Sequence, residues 1–568
     1  MFQMFYKIRQ CFFILALSLC FISGCSQVSA KAKPRVAQLN QGWTEQEVEF
    51  YNHASEGTNL APLDFVLNLR DPENPDAKFI DNLSSEYGFI PSEKSDLNPY
   101  GLPVGFAIDK RPVKFGDRSY LGVTCAACHT RQLTYHEADG SKWILPVHGG
   151  PGLIDFPRFQ KDLFNSFLAL LDDDALMNKF ATDLLQKTPE QNDLNSLRQE
   201  ISEFIAPVLT TRALIEKMQV ASADFGPGNL NALTKGYYNN VGLVGWMVQQ
   251  GLIESSGNTP LRVEFEGSVN YPPMWFASHD DWAQWFAEIH HPGSRNWTQA
   301  VSTSPVRPPK MIKTLKQLAL LQSINFDNIE QIQESLERLQ TPQWPEYALG
   351  QLDSELIAQG KVIFQDKCAQ CHTESYEKPN LLGIKFNKRL AFDVGTDPTA
   401  YEKFGENGTK RAEGLLQLSS NILQLRKAQL TKQFGEEVAA NYIKYDSKGR
   451  PNKFALAQDY YGNPAEENWE KTGAVYWSPP MAGIFASAPY FHNGSVPTLW
   501  DVLSPPEERP TSFHTGSNEF DSEHVGLKNE GSFIYNTEDP GKGNGGHLFG
   551  TKLPPSQKLA LIEYLKSI

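Results

Sequence analysis

Two short motifs constrain the fold of this chain more than any other feature of its 568 residues. They are Cys125-Ala-Ala-Cys128-His129 and Cys368-Ala-Gln-Cys371-His372, one in each half of the sequence. Two thiols three residues apart on a helical turn can bond to the two vinyl groups of a haem, and the adjacent imidazole then lies beneath the iron as its proximal ligand. The motifs therefore predict two covalently attached haems of the c type, with His129 and His372 as iron ligands.

The placement of the other cysteines agrees with this prediction. Of the seven cysteines, Cys11, Cys20 and Cys25 lie near the N-terminus, and the remaining four belong to the two motifs. Four cysteines in an exported protein usually indicate two disulfides, and zinc is a second alternative. Zinc needs four ligands at one site, however, whereas each motif supplies one pair of thiols. The histidine that follows each pair is typical of haem attachment.

The N-terminus has the pattern of an export signal. Lys7 and Arg9 precede an apolar run over residues 11–22, which is shorter than the roughly 20 residues that a membrane-spanning helix needs. The run ends in Ile22-Ser23-Gly24-Cys25, which resembles a bacterial lipobox, where the cysteine becomes the lipidated N-terminus. Residues 1–24 are therefore predicted to be a lipoprotein signal peptide, with Cys25 as the lipid anchor.

Two details of this region bear on location. Ordinary signal cleavage after Val28-Ser29-Ala30, a small-x-small site, is the alternative to lipidation. Ser26, rather than an aspartate, follows the lipobox cysteine, which favours sorting to the outer membrane. We expect residues 25–41 to form a tether and the protein to be anchored in the cell envelope, facing the periplasm or the exterior.

The mature chain divides around its two motifs. A first unit over residues 42–345 is predicted to carry haem 1 and a helical insertion, and a second over residues 346–568 is predicted to be a cytochrome c domain with haem 2. Strand patterns are scarce, so the expected fold class is mainly α: two cytochrome-c-like haem domains with long loops and inserted helices. Apolar residues recur at helical spacing over 159–186, 193–220, 356–371, 417–442 and 556–568.

Composition excludes two classes of protein. With 34 Phe, 20 Tyr and 11 Trp the chain can bury large cores, so it is not intrinsically disordered. Its net charge of −14, without a run of Lys or Arg, does not provide the basic surface that nucleic-acid binding needs. The negatively charged surface of this chain suits instead a small neutral substrate or a basic partner.

One segment of the second unit, Ala488-Pro-Tyr-Phe-His-Asn-Gly-Ser-Val-Pro-Thr-Leu-Trp-Asp-Val-Leu503, resembles the signature of the dihaem cytochrome c peroxidase and MauG superfamily. Further segments, spread over nearly the whole mature chain, resemble its rubber-oxygenase branch, the RoxA/RoxB-like proteins. They are Phe50-Tyr51, Gly57-Thr58, Asn98-Pro-Tyr-Gly-Leu-Pro-Val-Gly105, Gly149-Gly150-Pro151, Pro273-Met-Trp275, Ser278-His-Asp-Asp-Trp282, Arg509-Pro510 and Asn544-Gly-Gly-His-Leu-Phe-Gly550.

The resemblance implies different tasks for the two haems. In this superfamily one haem keeps an open face that binds hydrogen peroxide or dioxygen, while the other is six-coordinate and stores or relays electrons. A tryptophan lies between the haems, and Trp275 is the candidate for it, with simple core packing as the alternative role. The implied activity is that of a haem-dependent oxidoreductase of the peroxidase or oxygenase type, with a periplasmic electron donor as a candidate partner.

The sixth ligand of haem 2 must come from a distant part of the chain. The candidates in the second unit are Met481, His492, His514, His524 and His547. By resemblance, His492 contacts haem propionates rather than iron, and Met481 stands at a leucine position of the branch. His547 matches the branch's distal ligand, and its glycine-rich loop could approach a porphyrin closely. His547 is therefore the predicted ligand.

The distal face of haem 1 has several candidates. His148 lies roughly where peroxidases of the superfamily place a movable distal ligand, and His290 and His291 lie near where the rubber oxygenases have an apolar distal wall. Either His148 or His290 is a candidate acid or base for cleavage of an O–O bond. An ordinary exposed histidine is the alternative for each.

A calcium ion is a further candidate cofactor. Peroxidases of the superfamily offer backbone carbonyls to calcium where Ser487 and Pro489 stand in this chain, and oxygen ligands suit that ion. Backbone groups leave no side-chain pattern, so the residues themselves neither favour nor exclude it.

Three classes of function stay open at this point. The favoured one is an oxidoreductase that uses peroxide or dioxygen at haem 1. The second is a non-catalytic dihaem electron-transfer cytochrome, in which both irons can be six-coordinate. The third is a lipid-anchored binding module with vestigial haems.

Overall fold

The computed structural model describes residues 33–110, 118–217, 224–231, 267–279, 324–374, 391–405 and 476–568, together with most positions of 426–440 and several between 282 and 300. The predicted signal peptide, Cys25 and His291 lie outside the described residues. No helix in this part of the chain combines the length and the apolar character that crossing a membrane requires.

The helices of the described residues range from single turns to one long helix in the first unit. They are α1 (Glu45–His53), α2 (Leu63–Asn68), α3 (Leu83–Tyr87), α4 (Phe156–Asp172), α5 (Asp174–Leu185), α6 (Gln191–Lys217), α7 (Phe326–Leu336), α8 (Glu346–Leu349), α9 (Ser354–Lys367), α10 (Thr399–Gly405), α11 (Leu499–Val502) and α12 (Pro555–Ser567).

The strands are short and form small two- and three-stranded sheets. The two larger sheets have the orders β1-β6-β5 and β2-β4-β3, and β5 and β6 form a long antiparallel hairpin directly after the first motif. The strands are β1 (Arg35–Val36), β2 (Ala61–Pro62), β3 (Phe106–Asp109), β4 (Tyr120–Val123), β5 (Thr130–His136), β6 (Lys142–His148), β7 (Asn229–Asn231), β8 (Ser268–Asn270), β9 (Trp282–Ala283), β10 (Ile289–His290), β11 (Ala391–Phe392), β12 (Tyr476–Trp477), β13 (Ser512–Thr515), β14 (Phe520–Asp521), β15 (Gly526–Leu527) and β16 (Phe533–Asn536).

The helical region expected over 159–186 consists of two helices, because Asp173 interrupts it. Its backbone is extended, and its carboxylate accepts hydrogen bonds from the N–H groups of Ala175 and Leu176. Asp173 thereby ends α4 and caps α5, as expected of an aspartate at an N-cap. Most strands are too short to show a two-residue alternation, so sequence patterns reveal few of them, and the mainly α class stays a prediction.

The first unit has an aromatic core of its own. Helices α4, α5 and α6 pack against the β2-β4-β3 sheet through phenylalanines, and the rings of Phe89 and Phe159 lie 5.1 Å apart. Gly105 brings this core to the first motif: it has a φ of +89°, and a Cβ there would lie 2.3 Å from the Ala127 Cα. The backbone of the Asn98–Gly105 segment therefore touches the first haem-attachment turn.

A second core draws on both predicted units. It joins Leu133 and Val147 of the β5–β6 hairpin and Trp275 to Phe485 and Leu561 from beyond residue 346. The boundary near residue 345 stays a prediction, but packing across it brings the two motifs into one body. In this core α9, which leads to the second motif, crosses α12.

Candidate haem sites

The two Cys-x-x-Cys-His segments have the same local geometry. In the first, Thr124 caps a turn over Cys125–Ala127, and the His129 N–H donates to the Cys125 carbonyl over 3.0 Å. In the second, at the end of α9, the His372 N–H donates to the Cys368 carbonyl over 2.9 Å. None of the four cysteines forms a disulfide. Each motif therefore presents two thiols and an imidazole on one turn, as covalent haem attachment requires.

Both proximal histidines are oriented by the same kind of partner. Nδ1 of His129 lies 2.9 Å from the carbonyl oxygen of Pro272, and Nδ1 of His372 lies 2.9 Å from that of Pro479. A carbonyl can only accept, so Nδ1 carries the proton and donates it, which leaves Nε2 available to a metal. Metal-bound histidines commonly have such a second partner, which fixes the ring and raises its basicity.

Pro272 and Pro479 were not foreseen from the sequence, although a signal exists. Each opens a Pro-Pro-Met tripeptide, at residues 272–274 and 479–481. The second tripeptide also shows where Met481 lies. Its N–H donates to the Thr373 carbonyl over 2.9 Å, directly after His372. Met481 therefore belongs to the segment that holds His372, and not to one that could supply a ligand from the opposite side.

His547 faces His372. The centres of the two imidazole rings lie 6.3 Å apart. Rings that share one metal ion have centres about 6 Å apart, given metal–nitrogen bonds of about 2.0 Å. Burial lowers the pKa of His372 and lowers that of His547 to about 4, so both rings are neutral as ligation requires. Nδ1 of His547 is buried without a hydrogen-bond partner among the described residues. The pair fits a six-coordinate haem iron.

The glycine-rich loop brings His547 to this position. A Cβ on Gly546 would lie 2.2 Å from the carbonyl of Gly395, so only glycine allows the two backbones to approach. The His547 N–H donates to the Val394 carbonyl over 2.8 Å, and its φ of +47° is in the left-handed region. A side chain held in that region is typical of a functional position.

Arg509 fastens the same loop. It is 3% exposed, and its guanidinium donates to the carbonyls of Asn544, Gly546 and His547, the last two over 2.9 and 3.3 Å. Its Nε donates to the Ser504 carbonyl over 3.0 Å. The resemblance included Arg509 without assigning it a role, and the structure shows that it ties the His547 loop to the end of the signature segment.

The second motif and His547 enclose a largely apolar pocket of about 1450 Å³, counted with its open mouth. Its mostly apolar lining suits a flat apolar cofactor with a few polar contacts. The pocket collects several of the predicted site residues, namely Trp275, Cys368, Cys371, His372, His492 and His547, together with Met481, Ser487 and Pro489.

His492 lies in the wall of this pocket rather than opposite His372. It is 4% exposed, and its ring stacks on that of Tyr476 with centres 3.6 Å apart. Its Nε2 is buried without a partner among the described residues, and burial lowers its pKa to about 3. A neutral imidazole with an unused nitrogen suits a contact with a haem propionate.

Trp275 lies in the second site and is close in sequence to the first. It follows Pro272, whose carbonyl holds His129, by three residues, and it lines the pocket of His372 and His547. It is 2% exposed, and its Nε1 has no hydrogen-bond partner in the described part of the chain. Its place between the haems and its function there stay predictions.

Of the candidates for the distal side of haem 1, the described residues include the side chain of His148 and the backbone of His290. His148 ends β6, opposite Thr130 in the hairpin register, with its ring centre 5.8 Å from that of Trp43. Burial lowers its pKa to about 4. His290 pairs with Trp282 through the backbone of β10 and β9, and its side chain lies outside the described residues. Their roles stay predictions.

Two of the histidines considered for haem 2 lie outside the pocket. His524 is 43% exposed at its side chain and pairs with Asp521 over 3.0 Å. His514 is exposed on β13, and its ring bonds to the Gly531 carbonyl over 3.1 Å.

The first motif has a buried acid beside it. The carboxylate of Glu56 accepts a hydrogen bond from the Cys125 N–H over 2.7 Å, and burial raises its pKa to about 7. The Tyr51 hydroxyl donates to the His129 carbonyl over 3.2 Å, and the Tyr271 ring lies 6.0 Å from that of His129. The resemblance included Tyr51 without assigning it a role, and neither Glu56 nor Tyr271 was predicted, because lone buried side chains have no sequence pattern.

The carbonyls expected to bind calcium have protein partners nearby. The Pro489 carbonyl accepts a hydrogen bond from Nδ2 of Asn270 over 3.0 Å, and the guanidinium of Arg131 donates to the carbonyl of Ala488. A positive charge is thus already present on this stretch of backbone. Calcium at Ser487 and Pro489 stays a prediction.

Comparison with known proteins also indicates a cytochrome c-like protein. Residues 475–514 match a family described as RoxA-like, cytochrome c-like. The chain is 27% identical to the uncharacterized protein y4iJ of Sinorhizobium fredii (strain NBRC 101917 / NGR234), over 94% of this chain and 93% of the relative. It is 43% identical to y4iM of the same organism, over 31% of this chain and 34% of that relative. Residues 475–514, which include Pro479 and His492, therefore match a RoxA-like cytochrome c domain, in agreement with a haem-based function.

Proposed function

We propose that this protein is an exported dihaem c-type cytochrome oxidoreductase. Haem 1, on Cys125 and Cys128, activates hydrogen peroxide or dioxygen, and haem 2, on Cys368 and Cys371, relays or stores electrons. The observation that carries this assignment is the facing pair His372 and His547. An iron held by these two imidazoles would have no position left for an oxidant, so haem 2 would suit electron transfer and haem 1 would be left for the chemistry.

The protein's own residues have defined tasks in this scheme. The haem at His129 supplies the redox chemistry when bound. The Pro272 carbonyl orients the His129 ring and makes it a stronger ligand. Trp275, between the Pro272 segment and the second pocket, offers an oxidisable indole on the path from haem 2. Arg509 and the glycines before His547 hold the distal ligand in place, which suits a relay that changes little between its redox states.

A non-catalytic electron carrier is the second candidate. His148 favours it, because this half-buried imidazole ends the hairpin that follows the first motif, and its buried Nδ1 has no hydrogen-bond partner among the described residues. If His148 ligates haem 1, both irons are six-coordinate and neither binds an oxidant.

Optical and EPR spectra of the purified protein with both haems attached separate the two candidates. The oxidoreductase predicts one low-spin haem with two histidine ligands and one haem that is high-spin or binds added cyanide. Two low-spin haems that both resist cyanide would contradict the proposal and favour the carrier. Fewer than two covalent haems, from a host competent for attachment, would contradict the dihaem assignment itself.

We further propose that the protein is held in the cell envelope by a lipid on Cys25. Cys25→Ala should release it to the periplasm or block its processing, and a wild-type protein that is already fully soluble would contradict this. An anchored enzyme cannot diffuse to a bulk polymer, so a substrate that reaches the membrane is favoured over polyisoprene.

A further inference from the structure

Arg131 is a buried cation without a counter-ion among the described residues. It lies on β5, two residues after His129, and is 1% exposed. One Nη donates to the Ala488 carbonyl, whereas Nε and the other Nη have no hydrogen-bond partner in the described part of the chain. No acidic side chain of that part of the chain forms an ion pair with it.

A guanidinium in such a place requires an anion. Arginine remains protonated at every physiological pH and has five N–H donors in a planar fork that matches a carboxylate. Burial of an unpaired charge opposes folding strongly, and one neutral carbonyl does not compensate for it. The folded protein therefore has a site for a carboxylate at Arg131.

The guanidinium of Arg131 lies beside the wall of the second pocket, where a bound cofactor could supply the carboxylate. The Ala488 carbonyl lies between Ser487 and Pro489, and both of these line the pocket of the second site. Ser487 Oγ and His492 Nε2 are buried in the wall of that pocket, also without partners among the described residues. Through its backbone, Arg131 also lies next to the first site, because it follows His129 by two residues.

We propose that Arg131 is the counter-ion of a haem propionate at the junction of the two sites, and that it raises the reduction potential of the haem whose propionate it binds. The inference rests on the proposed occupancy by two haems. A positive charge beside a haem stabilises the reduced iron, which carries one positive charge fewer than the oxidised iron. Low dielectric around a buried pair strengthens this effect.

Redox titration of the protein with both haems attached, followed by visible absorption, tests the proposal. Arg131→Gln should move the midpoint potential of at least one haem to a lower value, and the haem that moves more identifies the propionate. Arg131→Lys keeps the charge and should stay closer to wild type. Arg70→Gln is the matched control: Arg70 is also largely buried, but Asp183 pairs with it away from both sites, so neither potential should change.

Unchanged potentials of both haems in Arg131→Gln would overturn the proposal. If that variant does not fold, resonance Raman spectra of Arg131→Lys decide instead. The propionate bending band should shift from its wild-type frequency, because lysine cannot reproduce the planar contact, and an unshifted band would overturn the proposal. Haem content of the wild type, measured first, shows separately whether the dihaem assignment fails.

Discussion

His547 is the residue whose replacement tests the second site most directly. His547→Ala removes the imidazole that faces His372 at 6.3 Å. Haem 2 should then change from low spin to high spin or take water as a ligand, while haem 1 keeps its spectrum. EPR and visible absorption measure both haems at once, and His524→Ala, at an exposed histidine outside the pocket, is the control.

His492→Ala should behave differently from His547→Ala. Its ring stacks on Tyr476 in the pocket wall, so its loss should shift the potential of haem 2 through altered propionate contacts and leave the spin state unchanged. The reverse pattern, with a spin change in His492→Ala alone, would make His492 the distal ligand and would remove His547 from that role.

Single residues were predictable from the sequence where chemistry ties a residue type to a spacing. The Cys-x-x-Cys-His motifs reveal His129 and His372, and the glycines around His547 reveal a close backbone approach. Pro272 acts through its backbone carbonyl, and Arg509 binds only carbonyls and one aromatic face. The Pro-Pro-Met tripeptide marks Pro272 and the resemblance marks Arg509, but neither names the group that the residue binds, so both roles needed the three-dimensional structure.

At the scale of elements, Asp155 gives the first unit a pH-dependent stability. It caps α4 by accepting a hydrogen bond from the Arg158 N–H over 3.1 Å, and burial raises its pKa from 3.8 to about 6. Ionisation is therefore penalised more in the folded than in the unfolded state. The free energy of unfolding should fall by up to about 3 kcal/mol as the pH rises from about 4 to about 6.

Asp155→Asn should remove this loss. Asparagine caps helices as well as aspartate does, so the variant should be more stable than wild type above pH 6 and show a flatter dependence below it. Denaturant titrations at several pH values measure the difference. Asp173→Asn, at the exposed cap of α5, is the control for replacing a capping carboxylate by an amide. If the free energy of unfolding changes with pH equally in wild type and in Asp155→Asn, the burial argument is wrong.

The crossing of α9 and α12 depends on Gly360. Alanine in place of a helix glycine normally stabilises by up to about 1 kcal/mol, but a Cβ here would lie 2.0 Å from the Ala560 carbonyl oxygen. Gly360→Ala should therefore destabilise the second unit by roughly 1–3 kcal/mol. Thermal unfolding followed at the haem 2 absorption measures this. Lys361→Ala, one residue further on the exposed face, should change stability by less than about 0.5 kcal/mol.

The predictability of the elements depends on local signals. Helix α12 begins and ends within one residue of the predicted 556–568 segment, because Pro555 marks its first turn and Leu561, Tyr564 and Leu565 follow at helical spacing. The β5–β6 hairpin was not anticipated, although each strand has seven residues. Both of its faces are partly buried, so β5 shows no regular alternation of apolar and polar residues.

At the scale of the whole molecule, the two halves share one core. Leu133, Trp275 and Phe485 belong to the same buried cluster although they come from distant parts of the chain. Helical periodicity and motif position predicted two separate units. Contacts between distant segments leave no period in a sequence, so their common core could not be predicted. A shared core fixes the distance between the two haem sites, which electron transfer between them requires.

Replacement of Trp275 tests whether this residue of the shared core takes part in electron transfer between the haems. Trp275→Phe keeps an aromatic ring but removes the indole N–H and its easier oxidation. Both haems should attach normally with nearly unchanged resting spectra, while electrons that enter at haem 2 should reach haem 1 more slowly and turnover should fall. Stopped-flow reduction and steady-state turnover measure the two rates on one sample.

A packing role for Trp275 predicts the opposite pair of results. The smaller ring would leave a cavity that costs on the order of 1–3 kcal/mol of stability, so the melting temperature would fall while turnover per folded molecule stayed constant. Phe276→Leu, at the neighbouring ring whose centre lies 6.5 Å from that of Trp275, is the matched control, because it creates a cavity in the same core while the indole is kept. If Trp275→Phe and Phe276→Leu lose stability alike and both retain the wild-type rate between the haems, Trp275 has no part in electron transfer.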